Sequence, residues 1–208
     1  MEDIPFLIYS VIFYIIIGLI SVFASENIAD REWKNHKLYD IIHNAFAVWP
    51  APDIPNYCVY FSILYTIIRW TPVNMRIVAL YFLALSMSLT CRLFTFLVTQ
   101  TPPPRLKNDK WRRQHCRRNM FTHFGINFKK VDTCIDNMFS GHTTHIITAL
   151  SIVLLFSTNI YEKSAFLIFG FFSSLAIITG RLHYSSDVMV ATIISYLMVF
   201  SLFKTIDL

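Results

Sequence analysis

Six apolar runs set the pattern of this chain: Phe6–Ala24, Ile54–Trp70, Ile77–Val98, Thr143–Ile160, Ser164–Thr179 and Val188–Phe203. A helix crossing the hydrocarbon core needs about 20 mostly apolar residues at about 1.5 Å rise each. Each run is therefore predicted as a membrane-spanning helix. The fifth and sixth are short, and span with a few flanking residues or where the bilayer thins. The predicted fold class is all-α: a polytopic membrane protein, one six-helix transmembrane bundle over residues 1–208. Two connections are long. Ser25–Asp53 mixes charges with aromatics and ends in Trp49-Pro50-Ala51-Pro52-Asp53, whereas Thr99–Phe139 opens with Thr101-Pro102-Pro103-Pro104. Proline fixes φ and disfavours helix in the residue before it, so both clusters read as rigid entries to or exits from spans.

Composition agrees with the pattern. Apolar residues make up 55% of the chain and charged residues 15%, against about 25% charged in a soluble domain. The first residues, Met1-Glu2-Asp3-Ile4-Pro5, lack the basic start of a secretory signal, so the first run reads as a retained span. Nine of the 18 Lys and Arg fall in the second long connection: Arg105, Lys107, Lys110, Arg112, Arg113, Arg117, Arg118, Lys129 and Lys130. In a membrane protein such a cluster meets anionic lipid head groups or is simply a solvated loop, and no nucleic-acid partner is expected. The 4 cysteines are too few for a disulfide scaffold. Cys58 and Cys91 lie in apolar runs, and Cys116 and Cys134 flank the basic loop and could pair if that loop is lumenal.

With six spans, the start of the second, the end of the third and the starts of the fourth and sixth share one membrane face. Asp53, Arg92, His142, His183 and Asp187 occupy those places. Ionisable residues at the edge of a bilayer are functional candidates, and convergence on one face is what an active site requires. His183 and Asp187 are four apart at the head of a predicted helix, hence on one face. A carboxylate on the imidazole Nδ1–H leaves Nε2 free to attack; an isolated pair of this spacing is also common as a plain surface contact. His142 follows Ser140-Gly141 at another helix start, where free N–H groups favour phosphate and Ser140 serves as N-cap and is expected among the phosphate-binding residues. A histidine there can protonate a leaving oxygen. His145 stands three residues on, so a metal bound by His142 and His145 is an alternative that no nearby carboxylate or thiol at ligand spacing supports. Arg92 interrupts Leu89-Thr90-Cys91-Arg92-Leu93-Phe94-Thr95. It either snorkels from the span end or faces the interior as a fork for phosphoryl oxygens.

Four motifs carry a resemblance to the sphingomyelin synthase family, within the lipid phosphate phosphatase-like superfamily. Pro50-Ala51-Pro52-Asp53 resembles Pro-Leu-Pro-Asp. Arg92 to Pro104 resembles R-x-x-T-x-x-V-T-x-x-P-x-P. Cys134 to Thr143 resembles C-G-D-x-x-x-S-G-H-T, and His183-Tyr184-Ser185-Ser186-Asp187-Val188 resembles H-Y-T-x-D-V. Order and spacing agree over about residues 50 to 200. The resemblance implies a triad of His183 as nucleophile, Asp187 orienting it and His142 as acid, with Arg92 steadying phosphate and Asp136 and Asp53 in supporting roles. Departures are Ala51 for leucine, Ile135 for glycine, and Arg181 two residues before His183, where the family often has histidine. Arg181 there adds a phosphate contact or alters head-group choice.

The implied reaction moves a phospho-head group from a glycerophospholipid donor to ceramide, releasing diacylglycerol, with no metal or organic cofactor. The rivals are a lipid phosphatase, whose upstream K-x6-R-P motif has no counterpart because no Arg here precedes Pro; head-group exchange onto diacylglycerol; and a non-enzymatic lipid-binding protein. The implied setting is the Golgi, endoplasmic reticulum or plasma membrane, with a lumenal or exoplasmic site; a homo-oligomer is compatible with it. The positive-inside rule points the other way, since the basic loop shares the face of the site, but that rule is weakest for long loops.

Overall fold

The computed structural model describes residues 3–28, 38–48, 53–98 and 139–205. Among them every regular element is a helix: α1 Asp3–Ile28, α2 Ile41–Ala45, α3 Ile54–Trp70, α4 Met75–Val98, α5 Gly141–Phe156, α6 Ile160–Thr179 and α7 Ser185–Thr205. All six apolar runs are thus helical over most of their length, the fourth breaking before its end. Within α1, α4, α6 and α7 lie four segments long and apolar enough to cross a membrane. The remaining two, α3 with 17 residues and α5 with 16, are shorter.

The predicted fourth run ended at Ile160, but the helix stops at Phe156. Ser157-Thr158-Asn159 breaks the apolar stretch, and the Asn159 side chain accepts from the N–H groups of Tyr161 and Glu162 to start α6. The fifth run accordingly begins at Ile160 rather than Ser164. The five-residue α2 was not expected at all. It is started by Asp40, whose Oδ1 accepts from the His43 N–H at 3.0 Å.

The 16-residue α5 is enclosed by its neighbours. α5 packs against α3, α4, α6 and α7 and buries residues around its whole circumference, including Thr144, Ile146, Ala149 and Ile152. It lines protein rather than lipid, so it need not match the hydrocarbon thickness. α4 lies between α1 on one side and α5 and α7 on the other, and Ala79, Leu80, Tyr81, Ala84 and Leu85 are fully buried there. By contrast α1 leaves Ile8, Tyr9 and Ile12 exposed, an apolar face suited to lipid. Many hydroxyls within these helices bond to the carbonyl four residues back, as at Ser10, Ser62, Thr66, Ser86 and Ser151, although Ser88, Thr148 and Ser195 do not. That habit lets polar residues sit in an apolar setting without unpaired groups.

Helix direction alternates through α3 to α7. The starts of α3, α5 and α7 and the ends of α4 and α6 therefore meet at one end of the bundle. The opposite end is closed by aromatic contacts of Phe156 with Trp70 and Phe203, and by Glu162 bonded to Arg69 at 3.2 Å and to the hydroxyls of Tyr65 and Ser157. Asp3, paired with Arg76 at 2.5 Å, also lies at that opposite end.

Candidate active site

The first wall of the site is the start of α5. Ser140 is its N-cap: the buried Oγ accepts from the Thr143 N–H at 3.2 Å and from the Thr143 hydroxyl at 2.9 Å. Across this helix start lies Arg92, from the last third of α4, whose Nε donates to the Phe139 carbonyl at 3.2 Å. Gly141 makes room for it. A Cβ built on Gly141 would sit 3.2 Å from Arg92 Nη1 and 3.4 Å from Cζ. The guanidinium and the free N–H groups of the helix start thus present positive potential in one place, an arrangement suited to a phosphate. Gly141→Ala is expected to nudge the guanidinium aside and lower turnover by up to about 10-fold, with near-normal folding, because the crowding is mild and a full 1 Å misplacement would cost about 100-fold. Steady-state kinetics and thermal unfolding of the purified variant check this.

His142 is held by a residue not predicted. Its Nε2 lies 2.9 Å from Asn56 Oδ1, one turn into α3. An amide oxygen only accepts, so Nε2 carries a proton in this contact, which leaves Nδ1 as the nitrogen able to exchange a proton with a ligand. Asp53 takes the N-cap position of α3 without a side-chain cap bond, and its side chain is exposed. The polar contact to His142 therefore comes from Asn56, three residues later.

Facing His142 is His183, with ring centroids 6.3 Å apart and planes at 63°. Its Nδ1 is buried without a hydrogen-bond partner and lies 3.8 Å from Asp187 Oδ2. That is an ion-pair distance, longer than a hydrogen bond. Oδ2 meanwhile accepts from the Tyr184 N–H at 3.0 Å, and Oδ1 from the Ser186 hydroxyl at 3.2 Å. The carboxylate is thus anchored on the turn before α7. Resting sites often show such long contacts, which tighten once substrate binds. The Ser140 N–H approaches the Asp187 carbonyl at 3.5 Å, joining the starts of α5 and α7.

Arg181 does something else. Its backbone has φ 56°, a left-handed conformation costing about 1–3 kcal/mol in a residue other than glycine. Its guanidinium donates to the carbonyls of His43 and Phe46, the latter at 3.3 Å. His145 is committed too. Its Nδ1–H donates to the Gly141 carbonyl at 2.8 Å, and its Nε2 accepts from the Tyr14 hydroxyl at 2.8 Å. Both nitrogens are occupied, so the alternative of a metal shared by His142 and His145 fails on this geometry. Asp136, Pro50 to Pro52, Cys116, Cys134 and the basic loop lie outside the described residues.

The segment around α2, also unpredicted, sits on the His183 turn. Asp40 Oδ2 accepts from the N–H and the hydroxyl of Ser185, each at 2.7 Å. His43 Nε2–H donates to the His183 carbonyl at 3.1 Å. Burial raises the Asp40 pKa, but the bonds from His43 and Ser185 outweigh it and hold the carboxyl below its ordinary 3.8. Burial pushes the His43 imidazole below its ordinary 6.5, against the opposing pull of Asp40, and Arg181 adds to the lowering. Both groups thus bind protons more weakly folded than unfolded. Their share of the docking is complete above the ordinary imidazole value. It declines as pH falls through 6.5, and Asp40's share goes last, below 3.8. Amide exchange in residues 38–48, corrected for intrinsic rates, is expected to rise between about pH 8 and about pH 5.

Residues 133–205 match the family model described as PAP2 superfamily C-terminal. No curated protein matches the chain. The matched stretch contains His142, His183 and Asp187 and supports a place in the lipid phosphate phosphatase-like superfamily, whose activities are phosphate-ester hydrolysis and phosphoryl transfer on lipids.

Proposed function

We propose that the protein is a membrane phosphotransferase that moves a phospho-head group from a glycerophospholipid to ceramide through a phosphohistidine. The observation that carries this reading is the facing pair of imidazoles, 6.3 Å between ring centroids, beside the Arg92 guanidinium at a helix start. One phosphorus atom fits between a nucleophile and a proton donor so disposed.

In the first step a ring nitrogen of His183 attacks phosphorus and the phosphorus–oxygen bond to glycerol breaks. Diacylglycerol departs with a proton from His142. Asp187 steadies the positive charge that develops on His183, and Arg92 with the N–H groups of α5 holds the phosphoryl oxygens. In the second step the primary hydroxyl of ceramide attacks phosphorus, His142 takes its proton, and the phosphorus–nitrogen bond breaks. One phosphodiester replaces another, so the exchange needs no nucleotide. Ceramide as acceptor rests on the four-motif resemblance to sphingomyelin synthases.

The test uses the full chain in liposomes with fluorescent ceramide, each phospholipid donor offered separately. A ceramide-dependent, head-group-bearing product is expected with one class of donor. Absence of such product with every donor rejects the transferase. Release of free phosphate from phosphatidic acid would assign the protein to the phosphatases instead.

A further inference from the structure

We infer that residues 38–48 form a clamp that sets the reactive shape of the His183 turn, with Asp40 and His43 as positioning residues; the inference rests on His183 being the nucleophile.

Asp40 and His43 are 6% and 7% exposed, whereas their neighbours Tyr39 and Ile41 are 81% and 71% exposed. A polar pair buried within an otherwise exposed stretch must be spending its bonding capacity on something, because buried polar groups are costly unless paired. The partners are specific. Asp40 starts two helices at once, Oδ1 on α2 through His43 and Oδ2 on α7 through Ser185. The α7 start could have been capped locally; it is capped instead from 145 positions earlier in the chain. His43 holds the His183 carbonyl and packs its ring on Tyr184 at 5.4 Å. The Leu38 N–H donates to the Tyr184 hydroxyl at 3.3 Å, and Arg181 reaches back to the carbonyls of His43 and Phe46.

Residues 181, 183, 184 and 185 therefore all bond to this one segment. Its bonds to His183 and Ser185 fall on either side of Tyr184, whose N–H fixes Asp187 Oδ2. The gap from His183 Nδ1 to that oxygen, 3.8 Å, is set by the turn's shape. The left-handed backbone at Arg181 needs outside support to persist, and the clamp supplies it. The bond from His43 goes to main chain, so it orients His183 without engaging the imidazole.

The test compares Asp40→Ala, Asp40→Asn, His43→Ala and His43→Gln in the full chain reconstituted in nanodiscs. Glutamine at 43 restores an N–H toward the His183 carbonyl. Asparagine at 40 keeps one acceptor and loses the other. The alanine variants are expected to lower kcat for head-group transfer by roughly 10–100-fold with KM nearly unchanged. His43→Gln is expected to recover most of the loss, and Asp40→Asn to fall between wild type and alanine. Amide exchange of residues 181–187 is expected to quicken in step. If exchange quickens while kcat holds, the segment is only structural and the inference is overturned. If exchange in 181–187 is unmoved by Asp40→Ala, the clamp is refuted whatever the reaction. Should an alanine variant misfold, full kcat in both Asp40→Asn and His43→Gln together with failed rescue of exchange overturns it equally. Wild-type protein that transfers no head group, with exchange responding as described, strikes the functional reading and leaves the clamp standing.

Discussion

Replacing His183 with alanine is expected to remove head-group transfer by at least about 10³-fold, because on the proposed mechanism the step that forms the covalent intermediate loses its nucleophile. His142→Ala is expected to cost about 10²–10⁴-fold, the usual worth of a general acid. A donor with an activated leaving group separates the two roles. A p-nitrophenyl ester of the head-group phosphate departs without protonation, so it should restore the first step in His142→Ala and not in His183→Ala. Brief exposure to donor labelled at phosphorus should leave an acid-labile label on the wild-type chain and none on His183→Ala. Label retained by His183→Ala would reject His183 as the nucleophile. Both imidazoles sit at one end of the bundle with their rings in contact range, so neither result is expected to reflect a change at a distant site.

Arg92→Met is the second large effect. Losing a preorganised donor to a charged transition state typically costs about 10²–10³-fold in rate. Folding should be nearly indifferent. The substitution leaves the Phe139 carbonyl without its Nε donor, a loss of about 1–3 kcal/mol. It also removes a charge from an apolar span, which costs about 2.5–3.5 kcal/mol to insert near the membrane centre and less at a span end. These two terms oppose each other and are of similar size. The expected variant is slow, well folded and close to wild type in thermal midpoint. Arg92→Lys keeps the charge but not the fork, and should recover only part of the rate. A wild-type rate in Arg92→Met would remove the guanidinium from the mechanism.

Much of this arrangement was legible from local pattern. The apolar runs are long enough that helix is the only spanning solution, and alternation of direction then brings Arg92, His142, His183 and Asp187 to one end. The break at Ser157-Thr158-Asn159 was hidden because three small polar residues barely lower the hydropathy of the run around them. Charge singles out Asp53 at the start of α3, yet the residue reaching His142 is the uncharged Asn56, three positions later. Its place on the same side of the helix start was the available signal. Asp40-Ile41-Ile42-His43 carried a weak sign of a helix start. What it binds lies some 140 to 146 residues away, and no local rule encodes such a partner. The resemblance suggests that Arg181 adds a phosphate contact or alters head-group choice, whereas its guanidinium meets the main-chain carbonyls of His43 and Phe46.

The double capping by Asp40 has a consequence for biogenesis. During synthesis Asp40 leaves the ribosome long before Ser185 exists, so one of its carboxylate oxygens has no partner until the last helix arrives. Assembly of this end of the bundle is therefore a terminal event. A nascent chain arrested before residue 185 would insert its earlier helices and still expose the 38–48 segment to protease, whereas release of the full-length product would shut that window.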